Sequence, residues 1–197
     1  MIQKMTLKDD VQCISEIIYQ TDDFIFPFLF GKLPLGTKRL EKLLLQKYNS
    51  FSYQRVYLEF NSEIRGILIE HDTRDKNHDF IAFLHAFGMF GLLCLALRTL
   101  LLFPLTRRKV KNGRYIQCVC VKPTFRGIGI GSKLLMDAFY RAKNDSTKYI
   151  ILDVDSKNTN ARALYERFGF VEKQTRHAWF MRKKQVRMIK LPPYDIP

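Results

Sequence analysis

The chain has 197 residues, enough for one domain with a sizeable core, and its 47% hydrophobic and 26% charged content is ordinary for a globular protein. Its net charge of +14 is uneven: residues 1–97 hold 11 Lys/Arg against 12 Asp/Glu, and residues 98–197 hold 22 against 7. Cys13, Cys94, Cys118 and Cys120 form no Cys-x-x-Cys pair and match no histidine spacing, which argues against a zinc or disulfide framework and suits a reducing compartment.

The basic half has no arginine-rich tail and no aromatic-interleaved basic strand, so nucleic acid is not expected as a partner. A ligand carrying several phosphates accounts for the charge more simply. Asp9 and Asp10 interrupt any basic-then-apolar start, so no signal peptide is expected and the chain reads as cytoplasmic.

Residues 2–5 read as a short edge strand. Thr6-Leu7-Lys8-Asp9 has capping-box spacing, with Asp in place of the usual Glu, and predicts a helix with the stripe Val11, Ile14, Ile17 and Ile18. Residues 24–31 are dense in aromatics, broken by Pro27, and read as core filler under a loop. A second helix is expected over about residues 37–48, with Leu40, Leu43, Leu44 and Tyr48 inward. Residues 55–60 and 63–70 then form a hairpin across Asn61-Ser62, with Ile64, Gly66 and Leu68 on one face and Arg65, Ile67 and Ile69 on the other.

Residues 80–97 are uncharged and nearly long enough to cross a bilayer. One crossing would put the hairpin and the following strand on opposite sides of a membrane, where they could not pair. His85 and Arg98 weaken the transmembrane reading further. No membrane span is expected; the helix should bury most of its faces against the sheet, an acyl-like substrate or a partner subunit, a homodimer through residues 80–97 among them, in preference to lying on a membrane surface. Polar flanks at 75–79 and 107–109 let both ends stay in water.

Residues 115–121 are apolar and β-branched enough for a buried strand. After them comes Arg126-Gly127-Ile128-Gly129-Ile130-Gly131, and then a helix in which Leu134, Leu135, Ala138, Phe139 and Ala142 recur at helical spacing. A glycine-rich turn from strand to helix exposes backbone N–H groups at the helix's positive end and lets a phosphate come close. A Walker loop needs Lys directly after its last glycine, but Ser132 precedes Lys133. The dinucleotide fingerprint needs its third glycine one residue later than Gly131. Neither fits.

A further strand covers residues 149–154. Asn158 or Asn160 caps the next helix, with Ala161, Leu164 and Phe168 inward and Gly169 as its left-handed stop. Residues 170–175 and 186–191 close the fold as two strands. His177 and Trp179, between them, read as rim packing or acceptor contacts, and Pro192-Pro193 ends the fold.

Two of these stretches carry a family resemblance. Arg126-x-x-Gly129-x-Gly131, preceded by Val121-Lys122-Pro123, resembles the acyl-CoA pyrophosphate loop of the GNAT acetyltransferases. Asn158-x-x-Ala161-x-x-Leu164-Tyr165-x-x-x-Gly169-Phe170 resembles that family's second signature at every named position. The resemblance implies an α/β fold with a mixed, mostly antiparallel central sheet, splayed strands and flanking helices, in a single domain over 1–197 with an insertion at about 73–112. In that family the region after the first helix usually flanks the acceptor site.

It also implies acetyl-CoA as cosubstrate, no metal, and an amine acceptor, either a small amine or a protein N-terminus, that attacks the thioester directly. The backbones of Val119, Cys120 and Val121 would meet the pantetheine arm. Arg126, Gly127, Ile128, Gly129, Ile130, Gly131 and Ser132 would hold the pyrophosphate, and Asn158 would bond the arm. A backbone N–H near 119–121 would be the oxyanion donor and Tyr165 the acid for the departing thiolate. Asp153 stands where some members that acetylate protein N-termini carry a glutamate, and would act as base through a water; Glu70, His71 and Glu59 are its rivals. Cys118 and Cys120 read as strand packing, not nucleophiles. The alternative is a CoA-binding sensor or scaffold of the same fold that does not catalyse.

Overall fold

A computed structural model describes residues 1–75, 79–106, 113–178 and 183–194; the flanks at 76–78 and 107–109, and Trp179, lie outside them. Its strands are β1 (Ile2–Lys4), β2 (Val56–Asn61), β3 (Glu63–Asp72), β4 (Arg114–Val121), β5 (Ile150–Asp155), β6 (Val171–Ala178) and β7 (Lys183–Lys190). They form one sheet in the order β1-β2-β3-β4-β5-β7-β6. β4 and β5 are parallel, pairing Arg114 with Ile150, Tyr115 with Ile151 and Ile116 with Leu152, and β4 runs on to Val121. β3 and β4 run antiparallel: Thr73 N–H donates to the Gly113 carbonyl at one end and Lys122 N–H to the Arg65 carbonyl at the other, both at 2.9 Å. The mixed, mostly antiparallel sheet expected from the sequence is observed.

The chain divides into two compact units: Met1–Glu70, Lys76–Leu100 and Cys118–Leu134 in the first, and His71–Asp75, Leu101–Gln117 and Leu135–Pro197 in the second. In the first unit α1 (Val11–Tyr19) starts later than the Thr6 signal predicts. Asp10 is its cap, accepting from Cys13 N–H at 3.0 Å, while Thr6 N–H and hydroxyl both donate to Asp9 and close a separate turn. The aromatic stretch is not a loop but a short helix, α2 (Ile25–Phe30). Pro27 lies in its first turn, where a missing N–H costs nothing. Phe30 is its buried anchor, with ring centroids 5.4 Å from Phe51 and 5.5 Å from Phe87. α3 (Leu35–Leu44) begins and ends before the expected span. Tyr48 lies beyond it at φ 60° and is exposed, not inward, while Leu40, Leu43 and Leu44 are fully buried as expected.

The apolar insertion is α4 (Asp79–Thr106), broken at Gly88, whose φ of 68° and ψ of 174° no helix contains. Ala82, Ala86, Phe87 and Leu95 join the core of the first unit, with Phe83 and Leu92 packed against it. The other face of α4 is not covered by the described residues of this chain. Phe80, Ile81, Met89, Phe90, Leu93, Leu97 and Leu100 are all exposed, because a helix lays only one stripe on a flat core.

In the second unit the core gathers on Phe139 of α5 (Ile130–Asn144). Its ring meets Phe168 at 5.8 Å, and Phe170 and Tyr194 at 5.9 Å. Packing therefore continues past the two prolines: Tyr194 is buried and donates its hydroxyl to the Thr147 carbonyl at 2.9 Å. The β6–β7 hairpin extends further toward its turn than expected, placing His177 opposite Lys184.

Candidate active site

The glycine turn belongs to the first unit. β4 ends at Val121, one helical turn follows at Pro123–Phe125, and Arg126 folds back so that its Nε donates to the Val121 carbonyl at 3.2 Å. Gly127 and Gly129 sit at φ +82° and +84°, backbone that other residues adopt only under strain. Nothing lies within 4 Å of where a Cβ would stand at either position, so open space borders both. α5 begins at Ile130, whose side chain is buried while Ile128 points outward. The first N–H groups of any helix lack intrahelical partners and carry its positive end, here bordered by glycines rather than side chains. Together they leave an open backbone edge at the positive end of α5.

Gly66 of β3 seats that helix start against the sheet. A Cβ there would fall 2.8 Å from Ile130 Cγ2, 3.1 Å from the Cys120 carbonyl oxygen and 3.3 Å from Leu134 Cδ1. Sequence reasoning placed Gly66 only on a strand face; an isolated glycine inside a strand is the signal that marks such a close approach.

Below the turn, Arg65 clasps the fully buried Glu59 with Nε and Nη2 at 2.8 and 2.6 Å. These hydrogen bonds hold the Glu59 carboxyl below the usual carboxylate range. A carboxylate so held is a poor base, which removes Glu59 from that role. Glu70, in the same unit, is buried. Cys118 Sγ lies 3.2 Å from Thr21 Oγ1, and burial pushes both the Cys118 and Cys120 thiols up, which keeps them protonated.

Three further site residues lie in the second unit. Asn158 is the N-cap of α6 (Thr159–Arg167), its Oδ1 accepting from Ala161 N–H at 3.1 Å; Asn160 is not the cap. Tyr165 is buried on α6, its ring edge-on to Phe170 with centroids 5.8 Å apart. Asp153 has a task the sequence did not reveal. It stands directly across from Arg187 of β7, which donates Nε and Nη2 to its two oxygens at 2.9 and 2.8 Å. The Tyr115 hydroxyl adds a third donor at 3.2 Å, and both charged side chains are nearly inaccessible. His71 packs on Tyr115 with ring centroids 5.4 Å apart. Among the described residues no group of three or more His, Cys, Asp or Glu is placed to hold a metal ion.

Residues 42–170 match the Acetyltransferase (GNAT) family, and the chain belongs to it. It is 35% identical over 68 residues to an uncharacterised N-acetyltransferase of Methanocaldococcus jannaschii, covering 34% of this chain and 30% of that protein. It is 28% identical over 85 residues to N-alpha-acetyltransferase 30 of Saccharomyces cerevisiae, covering 43% and 48%. Both matches span less than half of the relative's length. Among solved structures, an acetyltransferase superposes with a TM-score of 0.74 at 24% identity, covering 97% of this chain and 98% of that one. A chain of the NatC complex bound to Gag peptide and CoA superposes at 0.56 with 16% identity, covering 98% of this chain and 98% of that one. At these identities the likeness is one of fold.

Proposed function

We propose that the protein transfers the acetyl group of acetyl-CoA to a primary amine, and that the amine is a protein N-terminus. The observation that carries the donor half is the glycine turn: two left-handed glycines beside open space at the start of α5. The acceptor half draws support from the yeast relative, an N-alpha-acetyltransferase by name. A small amine is the other acceptor class.

In this reading Gly127 to Ser132 and Arg126 hold the pyrophosphate through backbone N–H groups and one guanidinium. The backbones of Val119, Cys120 and Val121 and the side chain of Asn158 bond the pantetheine arm. Acetyl-CoA supplies an activated thioester that the amine attacks directly. A backbone N–H at 119–121 stabilises the charge that grows on the thioester oxygen, and Tyr165 gives the departing sulfur a proton. Asp153 enters as a positioning residue, because acting as base would mean leaving the Arg187 pair. Glu70 and His71, at the end of β3, are then the groups to test for removing the amine's proton.

Thiol release from acetyl-CoA, followed against a panel of peptides differing in their first residues and a panel of small amines, tests both halves. Turnover with a subset of peptides supports the proposal. Turnover with small amines alone moves the acceptor to the other class. CoA binding without turnover on either panel favours the sensor reading.

A further inference from the structure

The outward face of α4 takes no part in the cofactor reading. Met89, Phe90, Leu93, Leu97 and Leu100 recur at helical spacing on its second arm, and Phe80 and Ile81 extend the apolar surface onto the first. Met89 and Phe90 are 84% and 79% accessible, a degree of exposure that large apolar side chains show singly but not in a continuous stripe. We infer that this face docks the protein onto an anionic lipid surface, lying in the interface without crossing it.

Charge selects lipid over a second copy of the chain. Residues 80–106 contain no carboxylate, and Arg98 is their one charged side chain. Arg98 donates Nη1 to the Phe28 carbonyl at 3.0 Å, and Arg39 donates its own to the Phe30 carbonyl at 2.7 Å. Both thereby stand at the C-terminal end of α2, and among the described residues no carboxylate meets either guanidinium. The remaining N–H donors suit phosphate headgroups. Burial and then the charge of Arg98 lower Arg39, which fits two cations sharing one neighbourhood. A second copy would bring to this face the same carboxylate-free segment and the same two guanidiniums, whereas an anionic leaflet supplies phosphates to meet them.

Geometry favours a surface contact. The segment leaves β3 and returns to β4 at one place, where Thr73 N–H meets the Gly113 carbonyl. Asp79–Leu102 is long and apolar enough to cross a bilayer by length and composition, but the break at Gly88 divides α4 into arms of about 13 and 27 Å at 1.5 Å per residue, neither reaching the ~30 Å of bilayer hydrocarbon.

Flotation of the purified full-length chain with phosphatidylcholine vesicles, with and without about 30% phosphatidylglycerol, tests the inference. The expected result is partition onto the anionic vesicles alone, weakened by added salt. Phe90→Glu combined with Leu97→Glu should lower that partition at least about tenfold, with melting and CoA binding unchanged. Should the double variant not fold, the wild-type response to lipid charge and salt still decides. Wild type left with the unbound protein, or partitioning equally onto pure phosphatidylcholine, overturns the inference. So does a wild-type dimer that these substitutions dissociate in the absence of vesicle binding.

Discussion

The glycine turn and the Asp153–Arg187 pair both held site residues in the sequence reading, and the structure treats them differently. The turn owes its character to backbone: Gly127 and Gly129 take left-handed conformations and leave space at the helix start. That property is written in the residues themselves, so the motif was legible. Asp153 owes its character to the residue across the strand. Arg187 and Tyr115 occupy its oxygens, and they are separated from it by 34 and 38 positions in the chain. A side chain's role is decided by neighbours that sequence order does not disclose.

The largest effect expected from this contrast is on stability. Asp153→Ala leaves Arg187 charged and buried with no ion-pair partner, which should cost about 3–5 kcal/mol in chemical denaturation. Asp153→Asn keeps the shape and separates the roles. A positioning residue leaves the acidic limb of the kcat/KM pH profile in place, whereas a base removes it. Loss of that limb in a stable Asp153→Asn protein would break the contrast.

Tyr165→Phe removes only a hydroxyl from a side chain already packed on Phe170. Turnover should fall about a hundredfold if that hydroxyl is the acid, with little change in the KM for acetyl-CoA. Unchanged turnover would assign the proton to another group. Next in size is Gly66→Ala, whose methyl meets Ile130 and the Cys120 carbonyl inside 3.2 Å. Calorimetric melting should show a loss of about 1–3 kcal/mol, and CoA affinity should fall with it because the helix start shifts.

The smallest effect is a pH dependence. Arg65 lowers the Glu59 carboxyl, so the folded state binds the proton less readily than the unfolded one. The stabilisation is present above the ordinary glutamate value of about 4.3 and is lost as pH falls through the lower folded value. Glu59→Gln should flatten that acid limb of the stability curve, as read by denaturant midpoints between about pH 5 and 2.

Much of the fold was readable because local signals agreed with the global one. The Asn158 cap and the Gly169 stop at φ +76° each rest on a residue with a specific capping or backbone preference. Tyr48 is placed inward by hydrophobic pattern, which marks what could be buried but not what lies opposite to bury it. For Tyr194 the partner was Phe139, 55 positions earlier in the chain, and the prolines suggested an end that packing did not respect. Gly66 was missed for the converse reason: its absent side chain matters only because Ile130 arrives above it.

The central claim is that the glycine turn holds the coenzyme's phosphates, and titration calorimetry of CoA into wild type and Gly129→Glu tests it most directly. Wild type should bind, and the variant, whose carboxylate would stand where phosphate belongs, should lose on the order of a hundredfold in affinity, about 2.7 kcal/mol, while melting as a folded protein. Equal affinity in the two folded proteins would contradict the account.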